Sequence, residues 1–269
     1  MQGSSGESLS RLTAELGTAM DGGADGTAVG DSLFAAADVL RAQPALRRAV
    51  TDPSMAAEAK AALANGVFGS HLDSAANDLV VSSSKLRWAR SGDLAAALEQ
   101  LGVVSLVKAA EARDEGDKLE DELFQFGRAV TENPDLRDAL SDPSRSVKDK
   151  QALVRTILEG RVIDGSLRLA ERSVTGVHLT VTRALGEYAK IAAESRNRLV
   201  ALVRSARPLA DGQQSQLSEV LASQYDQPVH LNVVVDQDLI GGVRVEIGDQ
   251  VIDGTISGRL DEARRRLVG

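Results

Sequence analysis

Residues 31–69 lie over residues 121–159 at a constant shift of ninety positions, with no gap. The match is tightest where PALRRAVTDPS lies over PDLRDALSDPS, and thirteen of the 39 aligned positions are identical, among them Phe34, Arg47, Asp52, Pro53 and Ser54. An internal repeat constrains architecture more than any other feature of a single sequence, because both units must adopt one fold and bury comparable faces. A shared Asp-Pro-Ser turn held in register exceeds what convergent amphipathic helices produce. Similarity resumes at a shorter shift, where LVKAAEARDE from Leu106 resembles YAKIAAESRN from Tyr188, so one copy carries a few extra residues.

The repeated unit is helical. Segments such as DSLFAAADVLRAQ, SMAAEAKAALANGVF and TRALGEYAKIAAESRN place Ala, Leu and Val at three- and four-residue spacings up to about Arg198. Aromatic residues are 3% of the chain against 43% apolar, so the core is built from small aliphatic side chains, which suits closely packed helices. Asp52-Pro53-Ser54 and Asp142-Pro143-Ser144 mark turns, with Ser54 and Ser144 expected as N-caps of the following helices. The glycine-rich run MDGGADGTAVGDS is expected to be a flexible loop. Trp88, the single tryptophan, stands between two predicted helices, where packing is favoured over an interface role.

After Arg198 the texture changes. RLVALVRSA, VHLNVVV, VRVEI and QVIDGT are β-rich, DGQQSQLSEVLASQYD is a polar-faced helix, and TISGRLDEARRRL is a closing helix. The expected fold is mainly α with a small α/β C-terminal domain: two tandem helical bundles, 1–105 and 106–197, then a short-stranded sheet with two helices over 198–269.

Chemistry is sparse. A net charge of −8 disfavours nucleic acid and anionic membrane surfaces. The absence of cysteine excludes disulfides, thiolate nucleophiles and Cys-based zinc sites. The opening MQGSSGESLSRLTAELG carries no export pattern, and no apolar run approaches the ~18 residues of a membrane span. Asp236, Asp238 and Gly241 begin like a calcium loop, but Ile240 and Ile247 occupy positions that need oxygen donors, so turn chemistry is the better reading. No phosphate loop or nucleophile elbow is present, and His71, His178 and His230 lack metal-ligand spacing. No cofactor, metal or catalytic residue is expected.

One stretch is locally specialised: VVVDQDLIGGVRVEIGDQVIDGT, from Val233. With SARPLADGQQSQLSEVLASQY and the order of helical bundle then α/β unit, it resembles the delta subunit of bacterial F-type ATP synthases, related to the mitochondrial oligomycin-sensitivity-conferring protein. The motif residues are Asp236, Leu239, Ile240, Gly241, Gly242, Gly248, Asp249, Asp253 and Gly254, in structural or interface roles. Its second helical copy looks like the family's single bundle, and the added first copy resembles extended actinobacterial members. The resemblance implies a non-catalytic peripheral-stalk (stator) subunit of the proton-translocating ATP synthase, resisting rotor torque during oxidative phosphorylation. It would bind headpiece alpha subunits through a bundle and the b-type stalk subunit through the C-terminal unit. It would be peripheral on the cytoplasmic face of the bacterial plasma membrane, freestanding and without direct membrane insertion. Two other readings stay open on the residues alone: a helical-bundle adaptor unrelated to ATP synthase, and an enzyme using the Asp-rich loop.

Overall fold

Helix ends follow the punctuation of the sequence. The computed structural model describes residues 3–175, 177–178, 180–196, 199–236, 238–239, 241–247 and 250–253. Its helices before the first strand are α1 (Ser4–Asp21), α2 (Gly26–Ala42), α3 (Pro44–Thr51), α4 (Ala57–Phe68), α5 (Ser74–Lys85), α6 (Ser91–Glu111), α7 (Gly116–Glu132), α8 (Pro134–Ser141), α9 (Val147–Leu158), α10 (Asp164–Ser173) and α11 (Val181–Ser195). Pro44 and Pro134 open α3 and α8 in the first turn, where a missing N–H leaves no hydrogen bond unmade. Asp25, Asp73, Asn133 and Ser146 accept backbone N–H bonds as side-chain caps of α2, α5, α8 and α9.

The Asp-Pro-Ser turns are built identically in both repeats. Asp52 Oδ1 accepts from Ser54 N at 2.8 Å and Ser54 Oγ at 2.6 Å; Asp142 Oδ1 accepts from Ser144 N at 2.8 Å and Ser144 Oγ at 2.7 Å. Ser54 and Ser144 are therefore donors that close Asx turns rather than helix caps, and α4 and α9 begin three residues later.

The repeat extends beyond the matched sequence. Helices α7 to α11 each begin ninety residues after α2 to α6, and α11, with 15 residues, is shorter than α6, with 21. The same register lays α1 on the body of α6: buried Ser5, Ser8, Leu12 and Leu16 correspond to buried Ala95, Leu98, Gly102 and Leu106. Helix α6 is thus both the last helix of the first repeat and the first of the second, and a dividing line at residue 105 falls inside it.

Gly26 and Gly30, expected in a flexible loop, lie within α2, the helix that packs most extensively on α6. A Cβ on Gly26 would stand 2.7 Å from the Ser105 carbonyl oxygen, and one on Gly30 3.1 Å from that of Gly102. Close helix approach, not turn formation, selects glycine here. The surrounding core includes Leu12, Leu33, Leu40, Leu98 and Leu101, and the Trp88 indole packs against it with Nε1 donating to the Ser83 carbonyl at 2.9 Å.

Residues 1–191 form one compact unit and residues 192–269 another. The second contains β1 (Leu199–Ser205), α12 (Asp211–Tyr225), β2 (Val229–Val235), β3 (Val243–Ile247) and β4 (Gln250–Asp253), in sheet order β2-β1-β3-β4. Strands β1 and β2 are parallel because α12 connects them, and the β1–β3 and β3–β4 pairs are antiparallel. Alternate residues of β1, Ala201 and Val203, join Val245, Ile247 and Leu221 of α12 in its core. The closing helix expected over TISGRLDEARRRL lies outside the described residues.

Candidate functional site

A dense polar cluster in the helical unit joins the two repeats through a carboxylate on their shared helix. Glu99, 4% exposed, accepts from Arg172 Nε at 2.9 Å and Nη2 at 2.5 Å, from Arg41 Nη1 at 3.0 Å, and from the Tyr188 hydroxyl at 2.9 Å. Arg172 of α10, 7% exposed, also grips Asp38 of α2 with two bonds of 2.6 and 2.7 Å, and its guanidinium lies 4.7 Å from the centroid of the Phe34 ring. One turn earlier on α10, Arg168 binds Asp164 at 2.7 Å and pairs with Asp31 of α2. Helices α2, α6, α10 and α11 are thereby tied together.

Buried charges are stable here because each is answered by charge and hydrogen bonds. Burial pushes the Glu99 carboxyl up, but the bonds and charges of Arg172 and Arg41 outweigh it and hold its pKa below the ordinary glutamate value. Burial lowers the pKa of Arg172, but its bonds to Glu99 and Asp38 more than reverse this. Burial, together with the Glu99 charge, pushes the Tyr188 phenol up, so it donates as a neutral hydroxyl.

The sequence reading did not find this cluster, although a signal existed. Ninety residues from Glu99, Asp38, Arg172 and Arg168 stand Ala189, Arg128, Ser82 and Asp78. At these four positions the repeats differ, whereas Asp31, which pairs with Arg168, is kept as Asp121. Glu99 also interrupts the apolar run of LAAALEQLGVV.

Apolar surface lies elsewhere in the same unit. A depression of about 280 Å³ between α7, α8 and α9 is lined by Phe126, Ala129, Leu136, Ile157, Leu158 and Val162. In the first repeat the counterparts of Phe126 and Leu158 are Ala36 and Phe68, both buried.

In the C-terminal unit, Asp236, Leu239, Gly241 and Gly242 lie where β2 leads into β3. Asp236 N donates to the Ser205 carbonyl at 2.8 Å, Asp236 Oδ1 accepts from Asp238 N at 3.0 Å, and its carbonyl accepts from Leu239 N at 3.3 Å. This is an Asx turn extending the sheet edge, with Arg204 3.8 Å from the second carboxylate oxygen. Gly242 has φ +86°, a backbone conformation suited to glycine, just before β3. Asp253 pairs in register with Arg244 at the end of β4. The pairing of Ile247 with Gln250 leaves two residues for the hairpin connection, but Gly248 and Asp249, with Ile240 and Gly254, lie outside the described residues. His178 meets the Tyr188 ring edge-on at 5.5 Å in the helical unit, His230 is in β2 and His71 is exposed.

Comparison with known proteins places these features in a family context. Residues 103–267 match the model of the family described as ATP synthase delta (OSCP) subunit. The ATP synthase subunit delta of Nocardioides sp. is 46% identical over the full chain and 98% of its own length. That of Beutenbergia cavernae is 42% identical over 89% of each chain, and that of Streptomyces coelicolor 40% over the full chain and 98% of its own. Among solved structures, a chain of the Toxoplasma gondii mitochondrial ATP synthase hexamer matches with a TM-score of 0.35 and 16% identity, covering 62% of this chain and 95% of its own.

Proposed function

The chain belongs to the ATP synthase delta (OSCP) subunit family, a premise from which we propose how its parts divide the work of a stator. As a delta subunit it is a structural part of the peripheral stalk, bound to headpiece alpha subunits and to the stalk. It is peripheral to the membrane sector, and among the described residues no helix is long and apolar enough to cross a membrane.

The helical unit takes the headpiece and the C-terminal unit the b-type stalk subunit, on the cytoplasmic face of the plasma membrane, with no chemistry of the chain's own. The functional divisions are a first bundle over 1–105, a second over 106–197 and the α/β unit over 198–269, the two bundles meeting within α6. Rotor torque turns any headpiece that is not held, so the connector must transmit force with little deformation. The observation that carries this reading is the shared helix α6, whose buried Glu99 is gripped from both repeats. Two bundles joined by a linker would bend; two bundles sharing a helix and a satisfied ion network resist bending. In the C-terminal unit, Asp236, Leu239, Ile240, Gly241, Gly242, Gly248, Asp249, Asp253 and Gly254 serve structural or interface roles towards the stalk.

Crosslinking within the assembled complex tests the division. Photo-reactive groups on α4 and α9 should link to alpha subunits, and those on β2 and α12 to the b-type subunit. Crosslinks in the opposite sense would overturn it. Membranes reconstituted without the chain should hydrolyse ATP without pumping protons, and pumping should return when it is added.

A further inference from the structure

Beside the Glu99 cluster a cavity of about 340 Å³ opens between the α2–α3 corner, α6, α11 and the segment that precedes α11. Two arginines line it, and only one of them is answered. Arg41 lies 3.0 Å from Glu99. Arg47 of α3 has no carboxylate within ion-pair distance among the described residues. Its Nη1 donates to the backbone carbonyls of Leu40 at 3.1 Å and Arg41 at 3.4 Å, and its Nε is buried without a hydrogen-bond partner. The two carbonyls hold the guanidinium in place and occupy one end of it. The edge formed by Nε and Nη2 is left over, and its two parallel N–H groups match both oxygens of one oxyanion. A buried donor left unmatched costs free energy that a bound anion recovers.

The repeat shows that this arrangement is particular to Arg47. Its counterpart, Arg137, pairs with the adjacent Asp138 at 3.5 Å. In the first repeat that neighbour is Arg48, so nothing on α3 answers Arg47. The rest of the lining sets what the anion carries. With Arg41 committed to Glu99, one cation remains against the exposed carboxylate of Glu187, so a single negative charge is favoured over a dianionic phosphate. Ala95, Val177 and Ile191 supply apolar contact, and the Gln100 amide and His178 imidazole have no hydrogen-bond partner among the described residues. The volume lies within the range of about 300–1,000 Å³ that small molecules occupy, and a carboxylate alone fills only part of it.

We propose that this cavity binds a small organic monocarboxylate, its two oxygens bridging Nε and Nη2 of Arg47 and its apolar body against Ala95, Val177 and Ile191. Gln100 and His178 supply further hydrogen-bonding groups. The site is independent of the stator reading above.

Titration of the full chain with butyrate and with phenylacetate, followed by nitrogen-15 NMR of the arginine side chains, tests this. The Arg47 Nε–H resonance should move saturably. Arg47→Lys, which keeps the charge and loses the fork, should weaken binding about tenfold or more. Ala96→Trp, at an exposed lining position, should abolish binding with an unchanged thermal midpoint, and Arg137→Gln should bind as wild type. No saturable shift with either acid would overturn the site, as would wild-type affinity in folded Arg47→Lys or folded Ala96→Trp. Inorganic phosphate binding as tightly as butyrate would overturn the choice of a carboxylate. Saturation-transfer NMR of phenylacetate on the assembled ATP synthase separates the two sources of a carboxylate. Transfer that Ala96→Trp removes supports a free acid. Binding to the isolated chain but not to the assembly would give the fork to a carboxylate of a neighbouring subunit and overturn the small-molecule assignment.

Discussion

Arg172→Met removes the guanidinium that answers both Glu99 and Asp38 and lies over the Phe34 ring, while keeping much of the side chain's volume. Removing one partner of a buried ion pair costs about 3–5 kcal/mol, because the remaining charge keeps its desolvation penalty without its compensation. Arg41, 3.0 Å from Glu99, and the Tyr188 hydroxyl remain, which places the expected loss near the lower end, about 3 kcal/mol. For a unit of this size that lowers the thermal midpoint by roughly 6–12 °C. Because Glu99 has a depressed native pKa, its stabilisation is complete above its ordinary value of 4.5 and is lost as pH falls through the native value. The gap between variant and wild type should therefore be widest near neutrality and narrow below that value. Urea unfolding followed by circular dichroism across that range measures it. The double variant Arg172→Met/Glu99→Met leaves no buried carboxylate in this cluster and should recover about half or more of the loss. If the two single losses instead add to within about 0.5 kcal/mol, the pair is not coupled and the reasoning fails.

Gly26→Val forces a side chain against the Ser105 carbonyl oxygen, which cannot swing aside, and should cost about 1–3 kcal/mol in urea titration; a wild-type midpoint would show that α2 and α6 separate freely. Gly242→Val places a β-branched residue at φ +86° and should destabilise the C-terminal unit by about 1–3 kcal/mol. Hydrogen exchange should then show lost protection in β1 and β3 but not in α2 and α6. The Asp52 and Asp142 carboxyls, each holding a serine hydroxyl and amide, should titrate below the ordinary 3.8 in carbon-detected NMR, and Ser54→Ala and Ser144→Ala should return them toward it. Because both values are depressed, the turns keep their contribution at neutral pH and lose it in acid.

Local rules explain why much of this fold is legible in the chain. Pro44, Pro134 and the Asp-Pro-Ser turns act through backbone geometry within a few residues, so helix boundaries and the ninety-residue repeat follow without knowledge of neighbours. The strands β1 to β4 declare themselves by β-branched runs, and Gly242 by its place between two of them. The errors are equally local in origin. Gly26 and Gly30 have the composition of a loop, yet a loop was not what they formed, because an approaching helix gives a missing Cβ value that propensity does not record. Ser54 and Ser144 were expected to accept hydrogen bonds and instead donate them to the preceding aspartates.

By itself the sequence determined the helical repeat, the change to a small α/β unit, and through the motif from Asp236 onward the family. Only the tertiary structure decided that α6 belongs to both repeats and that Glu99, Arg172 and Asp38 meet. Those facts depend on side chains separated by 73 and 134 positions in the chain, and no periodicity or turn signal spans such a distance. Long-range charge pairing is chosen by which faces pack, and the faces of two similar repeats are distinguished only once they are set against each other.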